Sequence, residues 1–99
     1  MYILSLNYVK PVSEIEKFID EHIKYLKKYY KAGVFVMSGR KVPRTGGIIL
    51  AKRVSLEELD TIIHEDPFHI NEVAQYTVTE FIPTMTMDEI SILKETLSD

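Results

Sequence analysis

Residues 46–82 read GGIILAKRVSLEELDTIIHEDPFHINEVAQYTVTEFI. The stretch changes period twice. Gly46 to Arg53 is an apolar run opened by two glycines, which predicts a buried strand. Ser55-Leu56-Glu57-Glu58 then has the S-x-x-E spacing of a capping box. Leu56, Leu59, Ile62 and Ile63 follow on one side of a short helix. Asp66-Pro67 closes that helix, because proline has no N–H and disfavours the α conformation in the residue before it. Asp66 is therefore expected to be extended, with its carboxylate on a stiffened corner. His69 to Val73 reads as a turn or a further helical turn, and Ala74 to Ile82 as a strand that Pro83 ends. This half of the chain is β-α-β.

The other half has the same order. Met1 to Tyr8 (MYILSLNY) reads as a strand, and Pro11 breaks it. Ser13-Glu14-Ile15-Glu16 is another capping box, in which Ser13 is expected to accept from the Glu16 N–H. Ile15, Phe18, Ile19, Ile23, Leu26, Tyr29 and Tyr30 continue it as one long helix, and Gly33 fits the left-handed position that ends it. Val34 to Gly39 (VFVMSG) is a strand, and Arg40 to Thr45 is a polar connection. Thr86-Met87-Asp88-Glu89, a third capping box, predicts a last helix carrying Ile90, Leu93 and Leu97. The order β-α-β-β-α-β with right-handed crossovers predicts an α+β, ferredoxin-like antiparallel sheet with both main helices on one face. One domain is expected over 1–99, with a core of 1–83 and a C-terminal helix over 84–99.

The strands add a constraint. A sheet with one wet face alternates apolar and polar residues. Ile3-Leu4, Val34-Phe35-Val36-Met37 and Ile48-Ile49-Leu50-Ala51 do not. The helices cover one face, so a second copy covering the other predicts a two-fold homodimer. The competing cover is the C-terminal helix folded back. Oligomerisation also suits a chain of 99 residues, since a domain of that size buries only about 60–65% of its unfolded surface.

Composition narrows the function classes. A net charge of −3 lacks the basic stripe that nucleic acid needs. The chain has no Cys, hence no thiolate metal site or cysteine nucleophile. No apolar run has the length of a membrane span, and Met1 opens directly on a strand pattern, so a cytoplasmic protein is expected.

Two residues are candidates for chemistry. His22 falls on the apolar stripe with Ile15, Ile19, Leu26 and Tyr29, so it points toward the sheet and needs a partner. Asp66 lies toward the same end of the sheet, and contact between the two would form a histidine–carboxylate dyad. The plainer readings are a core histidine bonded to a carbonyl or tyrosine, and an aspartate accepting local backbone N–H bonds. Ser38, Arg40 and Arg44, in and beside the loop between the middle strands, are candidates to hold an anionic substrate group; a solvated basic loop is the alternative. Gly46-Gly47 lacks phosphate-loop spacing, and no cofactor motif is found. His64, Asp66 and His69 form an H-x-D-x-x-H cluster of unspecific loop spacing, so no metal site is assigned. Tyr25, Tyr29 and Tyr30 read as packing.

The set His22-x-x-x-Leu26, Ala32-Gly33-Val34, Ser38-Gly39, Gly46-Gly47-Ile48 and Asp66-Pro67-Phe68 resembles the YciI-like (YCII-related) family over residues 1 to about 83. The resemblance implies a ferredoxin-like fold that dimerises as an α/β barrel, with a pocket lined by a His–Asp pair at His22 and Asp66. Most of the family lacks a known reaction, and the leading reading of the residues is a small cofactor-independent enzyme. One family member is a dehydrochlorinase of a chlorinated hydroxyquinol, and related barrels include isomerases and monooxygenases of small aromatic or lactone substrates. Two positions depart from the pattern: Arg40 stands where the family often has Pro, and Asp20-Glu21 makes the approach to His22 more acidic. The leading expectation is elimination or isomerisation by proton transfer at His22, oriented by Asp66. The other is a non-catalytic small-molecule-binding or regulatory module of the same fold.

Overall fold

A computed structural model describes residues 1–97. Four strands, β1 (Tyr2–Tyr8), β2 (Phe35–Arg40), β3 (Gly46–Ala51) and β4 (Ala74–Glu80), form one sheet in the order β2-β3-β1-β4. Every neighbouring pair is antiparallel. Four helices, α1 (Val12–Glu16), α2 (Ile19–Lys31), α3 (Leu56–His64) and α4 (Pro67–Ile70), supply the connections. Their buried residues, among them Ile15, Tyr25, Leu59, Ile62 and Phe68, join Tyr2, Leu4, Leu6, Ile49 and Ala51 in one core on one face of the sheet. The chain is an α+β fold, as its periodicities predict.

Local chemistry sets the boundaries. Ser55 caps α3, its hydroxyl accepting the Glu58 N–H at 3.0 Å. Gly33 is left-handed at φ +77 and ends α2 in a Schellman motif, with Val34 N–H donating to Tyr29 O at 3.0 Å and Gly33 N–H to Tyr30 O at 3.1 Å. The other two capping boxes do not form. Pro11, extended at ψ 154, occupies the cap position of α1, and its carbonyl accepts from Glu14 N–H at 2.8 Å. Ser13 is thereby drawn inside the helix and caps nothing. The single long helix is also two: Phe18, at φ −114 and ψ 5, leaves the helical region and restarts the chain as α2. The kink places both Phe18 and Ile19 against the core.

The predicted C-terminal helix is replaced by 3₁₀ turns over Asp88–Leu93, with Ile90 outside helical geometry. None of those residues is buried, so no packed face supplies what a short helix needs to persist. Thr86 caps nothing, and its buried hydroxyl has no partner among the described residues. The segment is tethered by Glu95, which accepts from the N-terminal ammonium at 2.6 Å and from Arg53 Nε at 2.8 Å. It therefore lies against Met1, Lys52 and Arg53 at one end of the sheet. The remainder of the predicted helix, residues 98 and 99, falls outside the described residues.

One irregularity matters for the site. Phe35 pairs with Ala51, but Met37 pairs with Leu50, so Val36 is an extra residue in β2. The bulge reverses the side-chain alternation after it. Ser38 pairs with the core-facing Ile49, and Arg40 with Gly47, so both now face the helices. Met37 turns to the opposite face, where it is 50% exposed, beside half-buried Ile48, Leu50 and Ile3.

Since residues 84–97 bury nothing in the helix-covered core, we expect a chain ending at 83 to unfold cooperatively, as urea denaturation followed by circular dichroism would show. Losing the Glu95 ion pairs, which lie at the surface and are screened by solvent, should lower its stability only modestly. Loss of the cooperative transition would make the terminal segment part of the core.

Candidate functional site

Asp66 is fully buried. It is extended (φ −67, ψ 123), as Pro67 requires, and it caps α4, whose first residue is that proline. The predicted break at Asp66 is therefore also a beginning. Three donors converge on the carboxylate. Oδ1 accepts the Phe68 N–H at 2.9 Å and His22 Nδ1–H at 2.7 Å, and Oδ2 accepts the Tyr76 hydroxyl. The local-cap reading and the dyad geometry thus coexist on one residue. The carboxylate ties α2, the α3–α4 corner and β4 together.

His22 is fixed on a second side. The Phe68 ring stacks on the imidazole, centroids 3.9 Å apart and planes 3° from parallel. Asp-Pro-Phe thus contributes three distinct parts: a carboxylate, a rigid helix start and a ring. With Nδ1 on the carboxylate, Nε2 is the open nitrogen, and His22 lines a cavity of about 180 Å³. That volume is close to the roughly 150 Å³ of an apolar cavity that holds one benzene. The cavity is bounded by α2, the β2–β3 hairpin and β1. Its sheet wall includes the cross-strand row Arg40, Gly47 and Leu6, in which Gly47 presents no side chain. At neighbouring Gly46 a β-carbon would collide with the Leu6 carbonyl, so glycine is required there. Ile19, Leu26 and Ile49 supply apolar wall.

Ser38, Arg40 and Arg44 line the same cavity as His22. Ser38 Oγ is 2.6 Å from the Tyr30 hydroxyl. Arg44 donates from Nη1 to Glu16 at 3.3 Å, while its buried Nε has no partner among the described residues. The H-x-D-x-x-H residues do not converge. Asp66 turns inward to His22, whereas the His64 and His69 rings contact each other at 4.5 Å on the outside of the corner. Tyr25 and Tyr29 pack in the core, as expected, with Tyr25 also donating to Ile62 O at 2.8 Å.

Sequence reasoning missed Tyr76 and the stacking role of Phe68. Tyr76 carries no signal in its own segment: only its register opposite Leu6 puts it on the core side, where a phenol needs a partner. Burial, and after it the Asp66 charge, push the Tyr76 phenol far above its ordinary range. Burial likewise raises Tyr25. Both remain protonated, so Tyr76 acts as a fixed donor.

A family model described as the YCII-related domain matches residues 1–82. No curated protein matches the chain. Among solved structures, the chain is similar to 5-chloro-2-hydroxyhydroquinone dehydrochlorinase from Burkholderia phenoliruptrix AC1100, in complex with 2,5-dihydroxybenzoquinone. The TM-score is 0.69 at 16% identity, over 84% of this chain and 95% of that one, a likeness of fold.

The raised tyrosines give a pH dependence of definite sign. Below the ordinary phenol value of 10.0, folded and unfolded chains both carry neutral Tyr25 and Tyr76. Above it only the unfolded chain ionises them, so stability falls as pH rises. We expect tyrosinate absorbance from these two residues to appear only together with loss of the far-ultraviolet circular dichroism signal. Ionisation of all six tyrosines before unfolding would contradict the buried network.

Proposed function

The chain belongs to the YCII-related family, and on that premise we propose that it is a small-molecule enzyme in which His22 and Asp66 form a proton-transfer dyad. The observation that carries this reading is the 2.7 Å contact between His22 Nδ1 and a fully buried carboxylate, with the same imidazole lining a ring-sized cavity. Asp66 fixes Nδ1–H and stabilises the imidazolium that forms; Nε2 takes the proton from an acidified C–H or O–H of the substrate. In an elimination, the electron pair left behind expels an anion from the neighbouring carbon. In an isomerisation, the imidazolium returns the proton to a different carbon. Ser38, Arg40 and Arg44 hold the substrate. A positioned base of this kind contributes about 10²- to 10⁴-fold, which suits an already activated molecule. The dehydrochlorinase of similar fold supports elimination and a single-ring substrate.

The face of the sheet away from the helices supports a second part of the proposal. Met37, Ile48, Leu50 and Ile3 make an apolar stripe there, and the terminal segment is anchored at the end of the sheet instead. Two copies paired through this face form a homodimer with a standard interface of about 800 Å² per partner. Sedimentation at micromolar concentration should give twice the chain mass, and Met37→Asp should give a folded monomer. A monomeric wild type contradicts the pairing.

The catalytic reading is tested on a panel of activated single-ring compounds, chlorinated hydroxyquinols and conjugated lactones, assayed for chloride release and solvent deuterium incorporation. We expect His22→Gln to lower the rate by about 10²- to 10⁴-fold. Asp66→Asn keeps an oxygen for Phe68 N–H and His22 but loses the charge, which should cost about 10- to 100-fold with the fold retained. Activity untouched by His22→Gln contradicts the dyad. Binding by the wild type with neither exchange nor release assigns the site to a non-catalytic binding module.

A further inference from the structure

The ionisable side chains lining the cavity are the phenol of Tyr8 and the basic groups of His22, Arg40 and Arg44, and no carboxylate lines it among the described residues. This is a segregation of charge, because the chain as a whole carries 15 acidic and 12 basic residues. Arg40 forms no ion pair among the described residues, and it faces the cavity only because of the Val36 bulge. Arg44 is 24% exposed, is held at one nitrogen by the mostly solvated Glu16, and keeps a buried Nε–H without an acceptor. A buried donor left unpaired is costly, more so when charged, and an acceptor delivered by a ligand removes that cost. Two guanidinium groups beside one small cavity also repel each other, and an anion between them relieves the repulsion.

We propose that the cavity is selective for an organic oxyanion of about one ring in size, with Arg44 Nε–H as the anchoring donor and Arg40 as the second cation. The planar guanidinium fork suits a delocalised oxyanion, either a carboxylate or the anion of an acidic enol. The apolar body of the ligand lies against Leu6, Ile19, Leu26 and Ile49, within reach of His22. Glu16 is then a built-in competitor, since it occupies one edge of the Arg44 fork and must share it with the ligand. The inference rests on reading this cavity as the substrate site, but it concerns charge and not proton transfer.

The test uses benzoate and its uncharged counterpart benzamide, with 2,5-dihydroxybenzoquinone as the acidic-enol arm, each titrated into isotope-labelled protein. Amide shifts of Arg44, Gly47 and His22 report binding. Benzoate or the enol should bind at least about tenfold more tightly than benzamide, a difference of about 1.4 kcal/mol. Whichever binds more tightly identifies the oxyanion. Arg44→Gln should shrink the preference over benzamide to within about twofold, and Glu16→Gln, which leaves Arg44 intact, should strengthen anion binding. His22→Gln should retain it, so loss of catalysis with anion binding intact separates failure of the proton-transfer reading from failure of this one. Equal affinity for charged and neutral ligands overturns the proposal. So does an unchanged preference in Arg44→Gln, or the absence of any binding at about 10 mM, a concentration that reveals even weak millimolar sites.

Discussion

A carboxylate sealed from water in a protein of this size is tolerated only when its lone pairs are satisfied, and the Asp66 cluster is built around that requirement. The three donors come from three separate parts of the chain: a backbone N–H two residues on, an imidazole on α2 and a phenol on β4. Each is fixed by the same contact it makes. Removing any one leaves charge or a donor buried without a partner, which is why the α3–α4 corner, the first turn of α2 and the start of β4 are held in register with one another. The site inherits its rigidity from this need and not from a dedicated scaffold.

The same requirement explains the asymmetry of the histidine. One nitrogen is committed to the interior, while the other belongs to the cavity. Phe68 removes the remaining freedom by stacking on the ring face. The opposite wall follows a different logic, that of strand geometry. Without the bulge at Val36, simple alternation from Phe35 would place Met37 and Gly39 toward the helices and Ser38 and Arg40 on the far face. One inserted residue exchanges an apolar lining for a polar one, and it delivers Met37 to the apolar stripe of the other face. Gly47, with no side chain in the row between Arg40 and Leu6, leaves the space open.

The sequence carried much of this. Strand and helix order followed from hydrophobic period and from the prolines and glycines that interrupt it, and the Asp-Pro step predicted an extended, stiff Asp66. Topology made contact between His22 and Asp66 feasible and the family resemblance pointed to it, where spacing alone favoured a core histidine. What was not legible depends on partners distant in the chain. The break at Phe18 has no proline or glycine to announce it. Ser13 has the right spacing to Glu16 for a capping box, yet Pro11 already supplies the extended residue a cap needs. The terminal segment has three apolar positions at helical spacing, but a periodic stripe makes a helix only where a surface receives it. The bulge is a property of the β2–β3 pairing, and Tyr76 finds its partner through the register of β4 on β1, so neither leaves a mark in its own segment.

The central claim is that a buried carboxylate holds one tautomer of His22 and so presents a basic Nε2 to the cavity. Long-range ¹H–¹⁵N correlation spectra of the imidazole rings test it most directly. With His22 in its neutral form, its Nδ1 should show the shift of a protonated, pyrrole-type nitrogen and its Nε2 that of an unprotonated one. A His22 ring protonated at Nε2, or one averaging like a free imidazole, would contradict the account.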